Sequence, residues 1–137
     1  KAIEDYTPTN SRSQIIKKGS NTIILDAYNA NPSSMEEALK NLAAMPQENK
    51  VAMIGGMKEL GNESAFEHRR IIKFAQQFHF SNFVLVGMEF KEAALELGLI
   101  YFETSELAKT WFNEQSFENT VILIKGSRGT RMEKVIE

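Results

Sequence analysis

The chain has 137 residues, 42% of them hydrophobic and 25% charged, which fits one folded domain and excludes intrinsic disorder, collagen and coiled coil. It carries no cysteine and two histidines, so neither a disulfide framework nor a Cys-based zinc site can be built from it. A net charge of -2 offers no field for nucleic acid or an anionic membrane, and no apolar run approaches the roughly 18 residues of a membrane span.

Lys1–Tyr6 contain no apolar signal segment, which predicts a cytoplasmic setting. A chain opening on Lys1 is expected to be part of a longer one. Asp5–Ser13, rich in Pro, Thr, Asn and Ser, reads as a lead-in, so residues 1–13 are expected to be a connection and residues 14–137 the domain. Strands are predicted at Gln14–Lys17 and Thr22–Asp26. A helix follows Asn31-Pro32, an N-cap with proline at the first helical position, and shows the stripe Met35, Ala38, Leu39, Leu42 before Pro46. After a strand at Val51–Gly55, a second helix begins near Ser64, paired with Glu67 as a capping box, and buries Ile71, Phe74, Ala75 and Phe78. A strand at Phe83–Gly87 leads to a third helix with Phe90, Ala93, Ala94 and Leu97, capped by Gly98. Leu99–Phe102 is the next strand. A fourth helix after Thr104 carries Leu107, Ala108, Trp111 and Phe112, and Thr120–Lys125 is the last strand. Short β-branched runs alternating with helical stretches are the mark of βαβ units, and the helical stripes are core packing. The fold class is therefore α/β. Such a sheet binds ligands at the carboxyl ends of its strands, in the loops after Asp26, Gly55, Gly87, Phe102 and Lys125.

The first of these, Asp26-Ala-Tyr-Asn-Ala-Asn-Pro32, sets a carboxylate, a phenol and two amides just before a helix N-terminus. Free backbone N–H groups there favour phosphate, Asp26 can accept from ribose hydroxyls and Tyr28 offers a flat face for a base. The same residue types also serve as plain turn formers. The last loop, Lys125-Gly-Ser-Arg-Gly-Thr-Arg131, joins glycines to cations and hydroxyls, and Arg128 can pair bidentately with a carboxylate, although a solvated basic loop has the same composition. Gly56 to Gly61 has the glycine spacing of a phosphate-binding P-loop, but Asn62 and Glu63 stand where Lys and Ser or Thr are required. These glycines read as turn formers, with Glu59 and His68 as supporting polar groups. His68 and His79 fall on one predicted helix, roughly 16 Å apart by helical rise, too far to share a metal.

Three segments in order, Asp26-Ala-Tyr-Asn-Ala-Asn-Pro-Ser-Ser-Met35, Glu59-Leu-Gly61 with Glu67-His68, and Lys125-Gly-Ser-Arg128 ahead of Met132-Glu133, resemble the C-terminal domain of the Mur ligases. The likeness runs from Asn10-Ser-Arg12 to Val135, and is strongest to the branch that joins D-alanyl-D-alanine to UDP-N-acetylmuramoyl-tripeptide. The resemblance implies a Rossmann-like, three-layer domain with a mostly parallel six-stranded sheet and helices on both faces. It also implies a cytoplasmic enzyme of peptidoglycan precursor synthesis, of which this is the lid: an N-terminal and a central ATPase domain are absent, and the lid alone is inactive and holds no catalytic residue. ATP phosphorylates the tripeptide carboxylate, the dipeptide amine attacks the acyl phosphate, and Mg2+, bound mainly by the central domain, neutralises phosphate charge. By position, Arg12 is similar to an arginine that reaches the ATP phosphates and Asp26 to an aspartate that holds the ribose. The same resemblance implies that Tyr28, Asn29 and Asn31 line the nucleotide and that Lys125, Ser127 and Arg128 face the dipeptide. The resemblance places no metal ligand in this domain. Gly56 departs from the usual Gly-Asp-Met, which leaves the role of an acid there open. The alternatives are a sister Mur ligase, a folylpolyglutamate synthase lid, or a non-enzymatic flavodoxin-like binding module. The Tyr28-Asn-Ala-Asn31 loop argues against the sister enzymes.

Overall fold

The computed structural model describes residues 13–137. Gln14–Lys18 (β1) and Asn21–Asp26 (β2) form an antiparallel hairpin across the two-residue turn at Gly19 and Ser20, where Gly19 takes φ 64°, a left-handed conformation that suits glycine. Asn49–Gly55 (β3), Asn82–Val86 (β4), Ile100–Phe102 (β5) and Thr120–Lys125 (β6) complete one sheet in the order β1-β2-β6-β3-β4-β5. Every pairing except β1 with β2 is parallel. The mostly parallel, six-stranded sheet expected from the sequence is therefore the one observed.

The central strands are buried on both faces because their residues alternate between two apolar cores. Ala52 and Ile54 of β3, with Val121 and Leu123 of β6, face helices Pro32–Ala43 (α1), Ser64–Gln76 (α2) and Lys91–Leu97 (α3). Val51, Met53, Ile122 and Ile124 face the other way, onto helix Ser105–Asn113 (α4) and a closing turn at Met132–Ile136 through Ala108, Phe112, Met132 and Val135. Helices thus cover both faces.

Four local expectations are corrected. The Ser64–Glu67 capping box does not form: a 3-10 turn at Gly61–Glu63 runs straight into α2, so Glu63 precedes it in a helical conformation, and the Glu67 carboxylate accepts from Arg70 Nε at 2.9 Å instead. Leu97, the last residue of the short α3, and Leu107, in the first turn of α4, are exposed rather than part of the core. Phe74 and Phe78 pack only partly buried against the α1–α2 core. His79 lies beyond α2, with φ 54°, and shares no helix with His68.

Candidate functional site

β2 and β6 are parallel neighbours, and their last residues, Asp26 and Lys125, are register partners. The Lys125 side chain is only 3% exposed and its Nζ donates to Asp26 Oδ2 at 2.7 Å and to the Asn29 carbonyl at 3.0 Å. Two opposite charges taken out of water together are tolerable, whereas either one alone is costly. Ser13 Oγ adds a bond to the same Oδ2 at 3.3 Å, and the Gly126 N–H donates to the Asp26 carbonyl at 3.0 Å. Asp26 Oδ1 is buried with no hydrogen-bond partner among the described residues. A buried acceptor in that condition is a place for a ligand donor.

Above this pair, Arg128 Nη1 donates to the Tyr28 hydroxyl at 3.1 Å, and its Cζ stands 4.9 Å from the ring centroid. The two loops flagged in the sequence therefore meet. Asn29 is exposed and contributes its carbonyl to Lys125. Asn31 caps α1: its Oδ1 accepts from the Ser34 N–H at 2.9 Å, and Ser34 Oγ accepts from the Asn31 N–H at 3.0 Å. Ser127 is buried and bonds Thr130 Oγ1 at 3.1 Å, so its hydroxyl holds the loop in shape. Lys125 too serves from beneath the surface, facing Asp26 and away from solvent. Arg12 lies outside the described residues.

The loop after β3 is held by His68. Nδ1–H donates to the Ser64 carbonyl at 2.7 Å and Nε2 accepts from the Met57 N–H at 2.9 Å, which uses both nitrogens of the neutral ring. Burial is the largest cause lowering its pKa, and it outweighs the Ser64 bond and the Glu89 carboxylate, which pull upward. His68 is thus a support for the loop, as expected, while Glu59 is exposed in a left-handed conformation at φ 62°.

Beside this loop lies a cleft of about 250 Å³ at the carboxyl ends of β4, β5 and β6, with Lys58, Glu89, Glu103, Thr104 and Arg131 among its lining residues. Lys58 Nζ bonds Glu89 Oε2 at 2.5 Å. Burial pushes the Glu89 carboxyl up, but the Lys58 ammonium and a backbone hydrogen bond more than offset it, leaving the pKa below the usual carboxylate range. A Cβ at Gly56 would lie 2.7 Å from Glu89 Cδ, so a side chain there would push the Glu89 carboxylate aside. Charges of both signs in one small cleft suit a zwitterion better than a simple anion. Lys58 and Glu89 were not singled out by sequence reasoning, although the loop after β4 was marked for search. Among the described residues no group of three His, Cys, Asp or Glu side chains could hold a metal ion.

Residues 11–128 match the family model described as Mur ligase, glutamate ligase domain. The chain belongs to this family. It is 31% identical over 141 residues, covering 100% of the chain and 31% of the relative, to the UDP-N-acetylmuramoyl-tripeptide--D-alanyl-D-alanine ligase of Rickettsia prowazekii. The ligase of the same name from Borreliella burgdorferi is 33% identical over 132 residues, covering 91% of the chain and 28% of that relative. A crystal structure of MurF from Acinetobacter baumannii matches with a TM-score of 0.82 at 30% identity, over 97% of this chain and 31% of that one. This Mur ligase domain therefore spans less than a third of the length of its relatives.

Proposed function

We propose that residues 14–137 are the C-terminal lid of a cytoplasmic, ATP-dependent ligase that joins D-alanyl-D-alanine to UDP-N-acetylmuramoyl-tripeptide, with residues 1–13 as the connection to a central domain. The observation that carries this reading is full-length similarity of the chain to a ligase of that name at 31% identity. In such a reaction the tripeptide carboxylate takes the γ-phosphoryl group of ATP and releases ADP. The dipeptide amine then attacks the acyl carbon, phosphate leaves from the tetrahedral intermediate, and the amine proton passes to base.

The site residues fit a nucleotide. The buried, unpartnered Asp26 Oδ1 suits a ribose hydroxyl, which would donate to it, and Tyr28 with Arg128 over its ring suits a base or a sugar edge. Asn29 and Asn31 stand on the same loop, with Asn31 also ending α1, and Arg12 is proposed to reach the phosphates. Mg2+ supplies charge neutralisation when ATP is bound, and its ligands are assigned to the central domain. For the dipeptide, Arg128 is the solvent-exposed cation of the set Lys125, Ser127 and Arg128. Its exposed guanidinium suits a carboxylate, with Ser127 shaping the loop beneath it and the mixed-charge cleft adjoining through Gly129–Arg131.

The test is phosphate release by the full-length protein with ATP, magnesium, UDP-linked tripeptide and D-alanyl-D-alanine, with the 137-residue chain alongside. Turnover that depends on the dipeptide in the full-length protein, and none from the domain, is the expected result. Turnover with a single amino acid or a glutamate in place of the dipeptide would move the assignment to a sister ligase.

A further inference from the structure

We infer that Lys125 is a positioning residue for the nucleotide: by holding one oxygen of Asp26 and the carbonyl of Asn29, it turns the other Asp26 oxygen, Oδ1, toward a ribose hydroxyl. The inference rests on the nucleotide reading of Asp26 given above.

A carboxylate at a strand end can rotate about its terminal bond, and its two oxygens are equivalent until something distinguishes them. Lys125 does so. Its Nζ is directed at Oδ2 at 2.7 Å, with Ser13 Oγ on the same atom, so Oδ1 is the oxygen left over. The strand register makes the arrangement rigid, since Asp26 and Lys125 end adjacent parallel strands and cannot slip relative to each other without breaking the ladder. The second Lys125 bond, to the Asn29 carbonyl at 3.0 Å, ties down the loop that carries Tyr28. With its side chain 3% exposed and both bonds directed inward, Lys125 acts through Asp26 rather than on the ligand.

The experiment compares ATP with 2′,3′-dideoxy-ATP as substrates of the full-length protein, by phosphate release. The wild type is expected to prefer ATP by about tenfold or more in kcat/KM, the range of a hydrogen bond to a charged group. Lys125→Met is expected to reduce that preference to about twofold or less, chiefly through the KM for ATP, and Lys125→Arg to keep most of it. Asp26→Asn should lose the preference as well. Adding Lys125→Met to Asp26→Asn removes both buried charges together, so the double variant is left with no lone buried charge to unfold it. There the second change should cost less than about threefold with either nucleotide. A Lys125→Met protein that loses activity equally with both nucleotides, or a further loss of about tenfold or more in the Asp26→Asn background, would overturn the inference. A wild type with no preference for ATP would remove the ribose role of Asp26, and this inference with it, while dipeptide-dependent turnover still stood.

Discussion

Arg128 and Tyr28 join loops 100 residues apart in sequence through one hydrogen bond, 3.1 Å from guanidinium to phenol, and one cation–π contact at 4.9 Å. Both side chains are exposed, so the pair is worth only about 0.5–1 kcal/mol to stability, and its value lies in fixing one loop against the other. Tyr28→Phe keeps the ring and loses the hydrogen bond, while Tyr28→Ala loses both. In the full-length protein we expect the KM for ATP to rise about twofold for Phe and about tenfold for Ala, with melting temperature little changed. Arg128→Lys keeps the charge but not the planar fork, and should behave more like a loss than a conservative change. Unaltered nucleotide kinetics in Tyr28→Ala would separate this pair from ATP binding.

Gly126 and Gly19 are glycines for different reasons, and their alanine variants should show it. A Cβ at position 126 would meet Met132 Cγ at 2.6 Å and the Gly55 Cα at 3.2 Å, with Met132 fully buried and unable to move aside. Gly126→Ala is expected to cost about 1–3 kcal/mol through overpacking. At Gly19 the space is open and the penalty is the left-handed φ of 64°, about 1 kcal/mol. Urea unfolding of the 137-residue chain measures both as a fall in midpoint at constant slope, larger for Gly126→Ala.

The central strands were legible because parallel strands covered by helices are apolar on both faces, and β3 and β6 announce themselves by composition alone. The α1 start was legible for a local reason too, since the Asn31 to Ser34 bonds span only 3 residues. The meaning of Lys125 was not. In sequence it is one more cation in a basic loop, and its partner Asp26 stands 99 residues away, so only the strand order reveals an internal ion pair. The α2 start misled for the opposite reason: Ser64 and Glu67 have the right spacing, but the preceding 3-10 turn removes the extended residue that a capping box needs. The Lys58–Glu89 cleft draws on loops after four strands, and no local pattern marks such a site.

His68 makes stability depend on pH in a stated direction. Its folded-state pKa is lowered, first by burial, so the unfolded chain binds the proton more readily than the folded one. Its contribution is therefore fully present above the unfolded value of about 6.5, and is lost as pH falls from there through the folded value. The slope has a ceiling of about 1.4 kcal/mol per pH unit for one proton. Structure gives the reason: a second proton would have to sit on Nε2, which already accepts from the Met57 N–H. Urea midpoints between pH 8 and pH 5 should fall more steeply for the wild type than for His68→Gln, and parallel curves would assign the acid sensitivity to other groups.

Asn31 has a structural task that can be separated from any contact with nucleotide. As the N-cap of α1 it exchanges bonds with Ser34 in both directions, so Asn31→Ala should cost about 1 kcal/mol of stability whatever the ligand does. Asn31→Asp keeps the capping acceptor and adds a charge that the helix N-terminus favours, so the fold should be as stable as the wild type. That same charge would stand beside the loop proposed to receive ATP, where it repels phosphate. We therefore expect Asn31→Asp to unfold like the wild type in urea yet raise the KM for ATP in the full-length protein. If Asp supports both stability and wild-type kinetics, the side chain is a cap alone. The nucleotide contacts of that loop then narrow to Asp26, Tyr28 and Asn29, because a new negative charge in contact with an anionic nucleotide would raise its KM.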